Sequence, residues 1–165
     1  MKTLLFVSIL FTSSLSFGSR MAFQGGLGMA NGIFHLNLDV DFQKKASHSF
    51  GGYLVYGAGK AFDISNQSNA RRGSFWSLGG DMKVFFGPKN WRLYVAPGVG
   101  LLSYENTAMT ESQMTLGTLF KVGALYRISK DMFIGLEQMF IHNWFNSNAD
   151  GGTYDLANIA FRIRF

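Results

Sequence analysis

Cysteine is absent from the 165-residue sequence, which excludes disulfides and a lipid-modified cysteine behind a leader segment. Proline is almost absent too, at two residues, so extended segments can run without interruption. Past the first dozen residues there is no long apolar run, and a membrane-spanning helix, which needs about 20 consecutive apolar residues, is not available. The three histidines, His35, His48 and His142, form no metal-ligand spacing, and no glycine-rich phosphate loop sits between a strand and a helix. Neither a metal nor a nucleotide cofactor is therefore expected. The formal charge of +5 is carried by basic residues scattered along the chain, whereas nucleic-acid binding calls for a patch, so nucleic acid is not an expected partner.

The N-terminus reads as an address. Lys2 supplies a positive start and Leu4–Phe11 an apolar stretch too short to span a bilayer. Ser16-Phe17-Gly18 then puts small residues where a signal peptidase cuts, after Gly18 or after Ser16. Residues 1–18 are read as a cleaved signal peptide and 19–165 as one domain.

What is abundant is aromatic residues, at 16%, and glycine, at 20 residues, and their order along the chain decides the fold class. Phe34, Leu36, Leu38, Val40 and Phe42 alternate with His35, Asn37, Asp39 and Asp41. A period of two gives a strand one apolar and one polar face, whereas a helix would scatter the same polar residues around its circumference. Phe23, Gly25, Leu27 and Met29 alternate in the same way just before it, and Asn31-Gly32 is a favoured two-residue hairpin turn that keeps Met29 and Phe34 on one face. Further strands are expected near 48–58, 74–86, 91–103, 114–128, 132–144 and 153–165, which makes eight.

The second face of these strands carries Asp39, Asp41, Asp81, Lys83, Arg92, Lys121, Arg127, Glu137, Arg162 and Arg164, with several glycines. Nearly every strand thus has one apolar face and no helix to cover it. Closing eight such strands into a barrel with the apolar face in lipid satisfies the backbone hydrogen bonds and turns the charges inward. Expected connections alternate between tight (87–90, 129–131) and long (59–73, 104–113, 145–152), the usual contrast between periplasmic turns and outer loops; Asn31-Gly32 is a short exception. The expectation is an all-β, eight-stranded, antiparallel up-and-down transmembrane barrel, its lumen filled by a network of the ten charged residues. A soluble lipocalin-like barrel carrying a hydrophobic ligand would have the same strand count with the faces inverted.

From about residue 75 onward the chain resembles the eight-stranded transmembrane barrels of the outer-membrane protein A type. The matching stretches are Tyr94-Val95-Ala96-Pro97-Gly98-Val99-Gly100, then Lys121 to Ser129, Met132-Phe133-Ile134-Gly135-Leu136-Glu137 and the closing Ala160 to Phe165. The resemblance implies outer-membrane residence in a Gram-negative bacterium. It implies an assembly signal of Phe161, Ile163 and Phe165 read by the barrel-assembly machinery after escort by periplasmic chaperones, and an inward Glu137 paired with lumen arginines. Nothing follows Phe165, so the peptidoglycan-binding domain of longer members is not expected, and a monomer in contact with outer-membrane lipid and lipopolysaccharide is.

The lipid A deacylase family also resembles this barrel, and it places a His, a Ser two residues later and an acid on the outer wall. His142 and Asp155 match the base and the acid, but the serine position holds Trp144, and Ser147 stands at a different spacing. A non-enzymatic envelope-structural or surface-contact protein is the leading expectation, ahead of a deacylase and a narrow ion channel. Arg71 and Arg72, in a polar segment beginning at Asp63, are candidates for outer-loop contact with phosphates.

Overall fold

Alternation of side-chain type every second residue, repeated over segments of 11 to 16 residues, produces eight strands in the computed structural model, which describes residues 20–30, 32–45, 47–61, 71–106, 113–144 and 153–165. They are β1 (Arg20–Ala30), β2 (Ile33–Lys45), β3 (His48–Ala61), β4 (Arg71–Phe86), β5 (Trp91–Asn106), β6 (Gln113–Arg127), β7 (Met132–Asn143) and β8 (Thr153–Arg164). Each pairs antiparallel with its neighbours in sequence, and β1 pairs with β8, so the sheet closes into a barrel without edges. The expected signal peptide, residues 1–18, lies outside the described residues.

One end of the barrel carries Arg20, Phe165 and the tight connections around Ser47, 87–90 and 128–131, and is called the turn end below. The other, the loop end, carries the β1–β2 hairpin, the last residues of β3, β5 and β7 and the first residues of β4, β6 and β8. In the hairpin Ala30 pairs with Ile33 and Gly32 has φ +75°, the left-handed region that glycine enters without steric cost. The strands run further than their alternation suggested. Ala61 pairs with Arg71 and Lys60 with Arg72, so the strands extend into both ends of the expected loop 59–73, and the two arginines stand on a strand rather than in a loop. Their side chains lie outside what is described. Pro97, which has no N–H to donate, sits where the β4–β5 ladder breaks between Asp81↔Gly98 and Val84↔Val95.

The faces are settled by exposure. On β2, Phe34 is 55% and Leu38 49% exposed while Asp39 is 1% exposed. The same outward apolar wall continues through Phe50, Leu54, Leu78, Leu93, Val99, Phe120, Ile134, Leu136 and Ile159. The inverted, lipocalin-like arrangement is excluded by this geometry.

Candidate functional site

Inward positions come from alternate residues of all eight strands, and they form layers rather than one charged column. At the loop end Ile33, Tyr53, Val55, Phe75, Leu102, Tyr104, Leu119, Met139, Ile141 and Leu156 make an apolar layer, with Tyr154 stacked on Phe75 at 4.4 Å between ring centroids. At the turn end Phe85, Tyr94, Ala96, Leu125, Phe133 and Ala160 make a second. The ionic groups lie between them.

In that middle layer Lys83 Nζ meets Asp39 at 3.1 Å, Asp41 at 2.8 Å and Asp81 at 3.4 Å. Lys121 Nζ meets Asp39 at 2.6 Å and Asp81 at 3.2 Å, and Arg162 pairs with Asp41. All six side chains are buried. Each ammonium donates to more than one carboxylate, the arrangement needed for buried charges to recover the several kcal/mol that each loses on leaving water.

Glu137 departs from the expectation that it pairs with lumen arginines. It accepts from Gln24 at 2.9 Å, Asn37 at 2.8 Å, Asn158 at 3.0 Å and the Tyr94 hydroxyl, all neutral donors. The link to arginine is indirect, since Arg162 Nη1 donates to Gln24 Oε1 at 3.3 Å. Asn37 is on the polar face read from the 34–42 alternation, whereas Gln24, Tyr94 and Asn158 are not among the expected lumen network, although each sits on the inward parity of its strand. Gly123 makes room for this cluster, because a Cβ there would lie 2.3 Å from the Tyr94 ring.

Three of the ten expected network members stand elsewhere. Arg92, Arg127 and Arg164 occupy the second, last and last positions of β5, β6 and β8, which puts them at the turn-end mouth rather than in the ionic layer. Arg92 lies 5.7 Å from the ring centres of both Phe85 and Phe133, and Arg164 lies 4.7 Å from Phe133. Arg127 and Arg164 both donate to the Lys130 carbonyl, at 3.1 and 2.8 Å, and Arg164 approaches Asp131 at 3.8 Å.

On the outer wall His142 and Asp155 are both exposed and sit diagonally across the β7–β8 pair, where His142 faces Thr153 and Phe140 faces Asp155. The Gln138 side chain donates to Asp155. Trp144 donates to the Thr118 hydroxyl at 3.2 Å from the position where a deacylase serine would stand, and Ser147 lies outside the described residues. Among the described residues no cluster of three or more His, Cys, Asp or Glu is placed to hold a metal ion. Phe161, Ile163 and Phe165 lie on the outer wall at the turn end, where Phe165 packs edge-on to Phe23 at 5.7 Å between ring centroids and closes the seam through its N–H to Met21.

No family model and no curated protein matches the sequence. Solved structures do match in fold. The N-terminal β-barrel domain of Pseudomonas aeruginosa OprF superposes with a TM-score of 0.63 at 14% identity, covering 88% of this chain and 97% of that one. Neisserial surface protein A gives 0.64 at 10% identity, with 89% and 96% covered. The outer membrane enzyme PagL gives 0.50 at 13% identity, with 88% and 99% covered. Similarity this low in sequence speaks to architecture alone, and barrels with and without enzymatic activity share it. The chain has the fold of the small eight-stranded outer-membrane β-barrels of the outer-membrane protein A type.

Proposed function

We propose that this chain is an integral outer-membrane protein of a Gram-negative bacterium, acting without catalysis as an envelope-structural or surface-contact barrel. One observation carries the reading: the outward face of a closed barrel is a predominantly apolar wall of Phe, Leu, Ile, Val and Met side chains. Soluble monomers rarely expose contiguous apolar patches beyond a few hundred Å². In lipid the wall needs no cover, and Trp91, Tyr126 and Trp144 near strand ends are placed as interfacial anchors. The lumen supports a structural rather than a conducting role, because apolar layers lie on both sides of the ionic one. Its six-residue ion cluster serves on this reading to hold the strands in register. The signal peptide delivers the chain to periplasmic chaperones and the barrel-assembly machinery, with Phe161, Ile163 and Phe165 as the signal read there. Lipopolysaccharide is the surrounding partner, and Arg71 and Arg72 are candidates for contacting its phosphates.

Fractionation and gel migration test this directly. The folded chain is expected in the outer-membrane fraction, running at a different apparent mass before and after boiling. A monomer that stays folded in detergent-free buffer refutes the reading.

A second reading, hydrolysis of an acyl chain on lipid A, is favoured by the shared outward face of His142 and Asp155. It lacks a serine at Trp144, and Asp155 is engaged by Gln138. Mass spectra of lipid A from cells with and without the protein are expected to be identical; loss of an acyl chain that depends on His142 would establish the enzyme instead.

A further inference from the structure

The outer wall is not evenly filled across β5 to β8. In one cross-strand row Ala124 stands between Leu93 and Leu136, which are 52% and 67% exposed, and in the next row Ala157 faces Gln138. These small side chains leave a depression of about 550 Å³ that runs from Phe86 and Leu93, on the turn-end side, up to Gln138 and Ala157. Leu93, Leu136 and Ala157 are exposed, so it opens outward. Asp155 stands at its upper limit, two residues before Ala157 on the same face of β8, and is exposed as well. Along β7, Gln138 is six residues from Met132, and Phe140, which faces Asp155, is eight. Those spacings correspond to heights of about 15 and about 20 Å in an apolar band about 25 Å tall. The Gln138 amide reaches up and donates to the Asp155 carboxylate. Among the described residues no ion pair includes Asp155.

A carboxylate this high on a lipid-facing wall, with one neutral donor and no cation of its own, is complementary to a positive charge presented from the lipid. We propose that the depression, with Asp155 at its rim, is a binding site for one lipid whose headgroup carries a primary ammonium. The ammonium donates to the carboxylate in a charge-assisted hydrogen bond, at a depth where water competes less than in solution. Its acyl chain then descends past Ala157 and Gln138 toward Leu93, with Leu136 beside it. Charge selects the occupant. A headgroup with only negative charge is repelled by Asp155, and a quaternary ammonium has no N–H to donate. The inference rests on the reading that this wall meets lipid.

The test uses the folded full chain in dodecyl maltoside, mixed with equal amounts of phosphatidylethanolamine, phosphatidylcholine and phosphatidylglycerol. Native mass spectrometry then weighs the chain together with the lipids it retains. One phosphatidylethanolamine per barrel, enriched at least about threefold over either competitor, is the expected result, on the scale of a partly exposed ion pair. Asp155→Asn is expected to remove the enrichment. Ala157→Leu, which fills the depression, is expected to lower the amount of every retained lipid. The turn-end variant Asp131→Asn is expected to keep the enrichment of the parent. Heat-dependent gel migration checks that each variant is folded before it is weighed. Equal retention of the three lipids, or an enrichment that survives Asp155→Asn, overturns the proposal. A mass of two chains without lipid also overturns it, by assigning this face to a second copy. A folded barrel without lipid preference refutes this site alone, whereas failure of the outer-membrane reading shows in fractionation.

Discussion

Replacing Lys83 with methionine isolates the energetics of the ionic layer. The two side chains have similar volume, so little cavity is created, and what changes is the charge that Asp39, Asp41 and Asp81 share at 3.1, 2.8 and 3.4 Å. Lys121 still contacts Asp39 and Asp81, and Arg162 still contacts Asp41, so no carboxylate loses its last partner, yet three anions are left with two cations. Removing one partner from a buried ion pair costs about 3–5 kcal/mol, and the remaining partners here argue for the lower half of that range, about 3 kcal/mol. Urea titration of the protein in lipid vesicles, followed through tryptophan fluorescence, measures this. Combining Lys83→Met with Asp41→Asn restores the charge balance and is expected to recover at least about 1 kcal/mol, a coupling that independent sites lack. A single variant that costs less than about 1 kcal/mol, or a pair that is additive, would refute the claim that the cluster holds the strands in register.

Leu136 is 67% exposed on the outer wall, four residues above Met132 at the turn end, which places it about 10 Å up an apolar band about 25 Å tall. Leu136→Arg is expected to destabilise the vesicle-inserted protein by about 2–4 kcal/mol, and stability unchanged by the charge would mean that this wall does not meet lipid. Gly123→Ala is expected to cost about 1–3 kcal/mol, because its Cβ would displace the Tyr94 ring from the Glu137 cluster; the same urea titration checks it, and Tyr94→Phe should behave differently because it empties no space at Gly123. Deleting Phe165 is expected to lower the amount of protein in the outer membrane, measured by fractionation, through loss of the terminal aromatic and its contact with Phe23.

Much of the architecture is legible in the sequence because a lipid-facing barrel imposes the same demand on every strand. Phe34 to Phe42 displays it in full, and its facing assignment is the one observed. Strand ends were less legible: Lys60, Ala61, Arg71 and Arg72 carry no apolar alternation, yet backbone pairing extends through them. The layering of the lumen was harder to read. Phe75, Leu102, Leu119, Ile141 and Leu156 are inward but apolar, so at the loop end both faces of a strand look alike and the alternation fades. The neighbours of Glu137 depend on closure, since Gln24 and Glu137 stand 113 residues apart and only the barrel brings them together. The arginine mouth is legible for the same reason only in three dimensions, as its members come from β5, β6 and β8.

The seam between β1 and β8 has a consequence for the order of events. Ala22 to Gly28 finds its partners in Asn158 to Arg164, so the first strand completed is the last to be satisfied along both edges. Closing a ring from its two ends carries a loop-entropy cost that no local contact offsets, and the ionic layer is itself incomplete until Arg162 arrives. The first seven strands therefore remain an open, edge-bearing sheet until the final dozen residues have been synthesised. A chain built this way cannot finish folding as it emerges. It has to be kept from pairing with other chains until its C-terminus is present, so susceptibility to aggregation is tied to the time before closure rather than to the finished barrel.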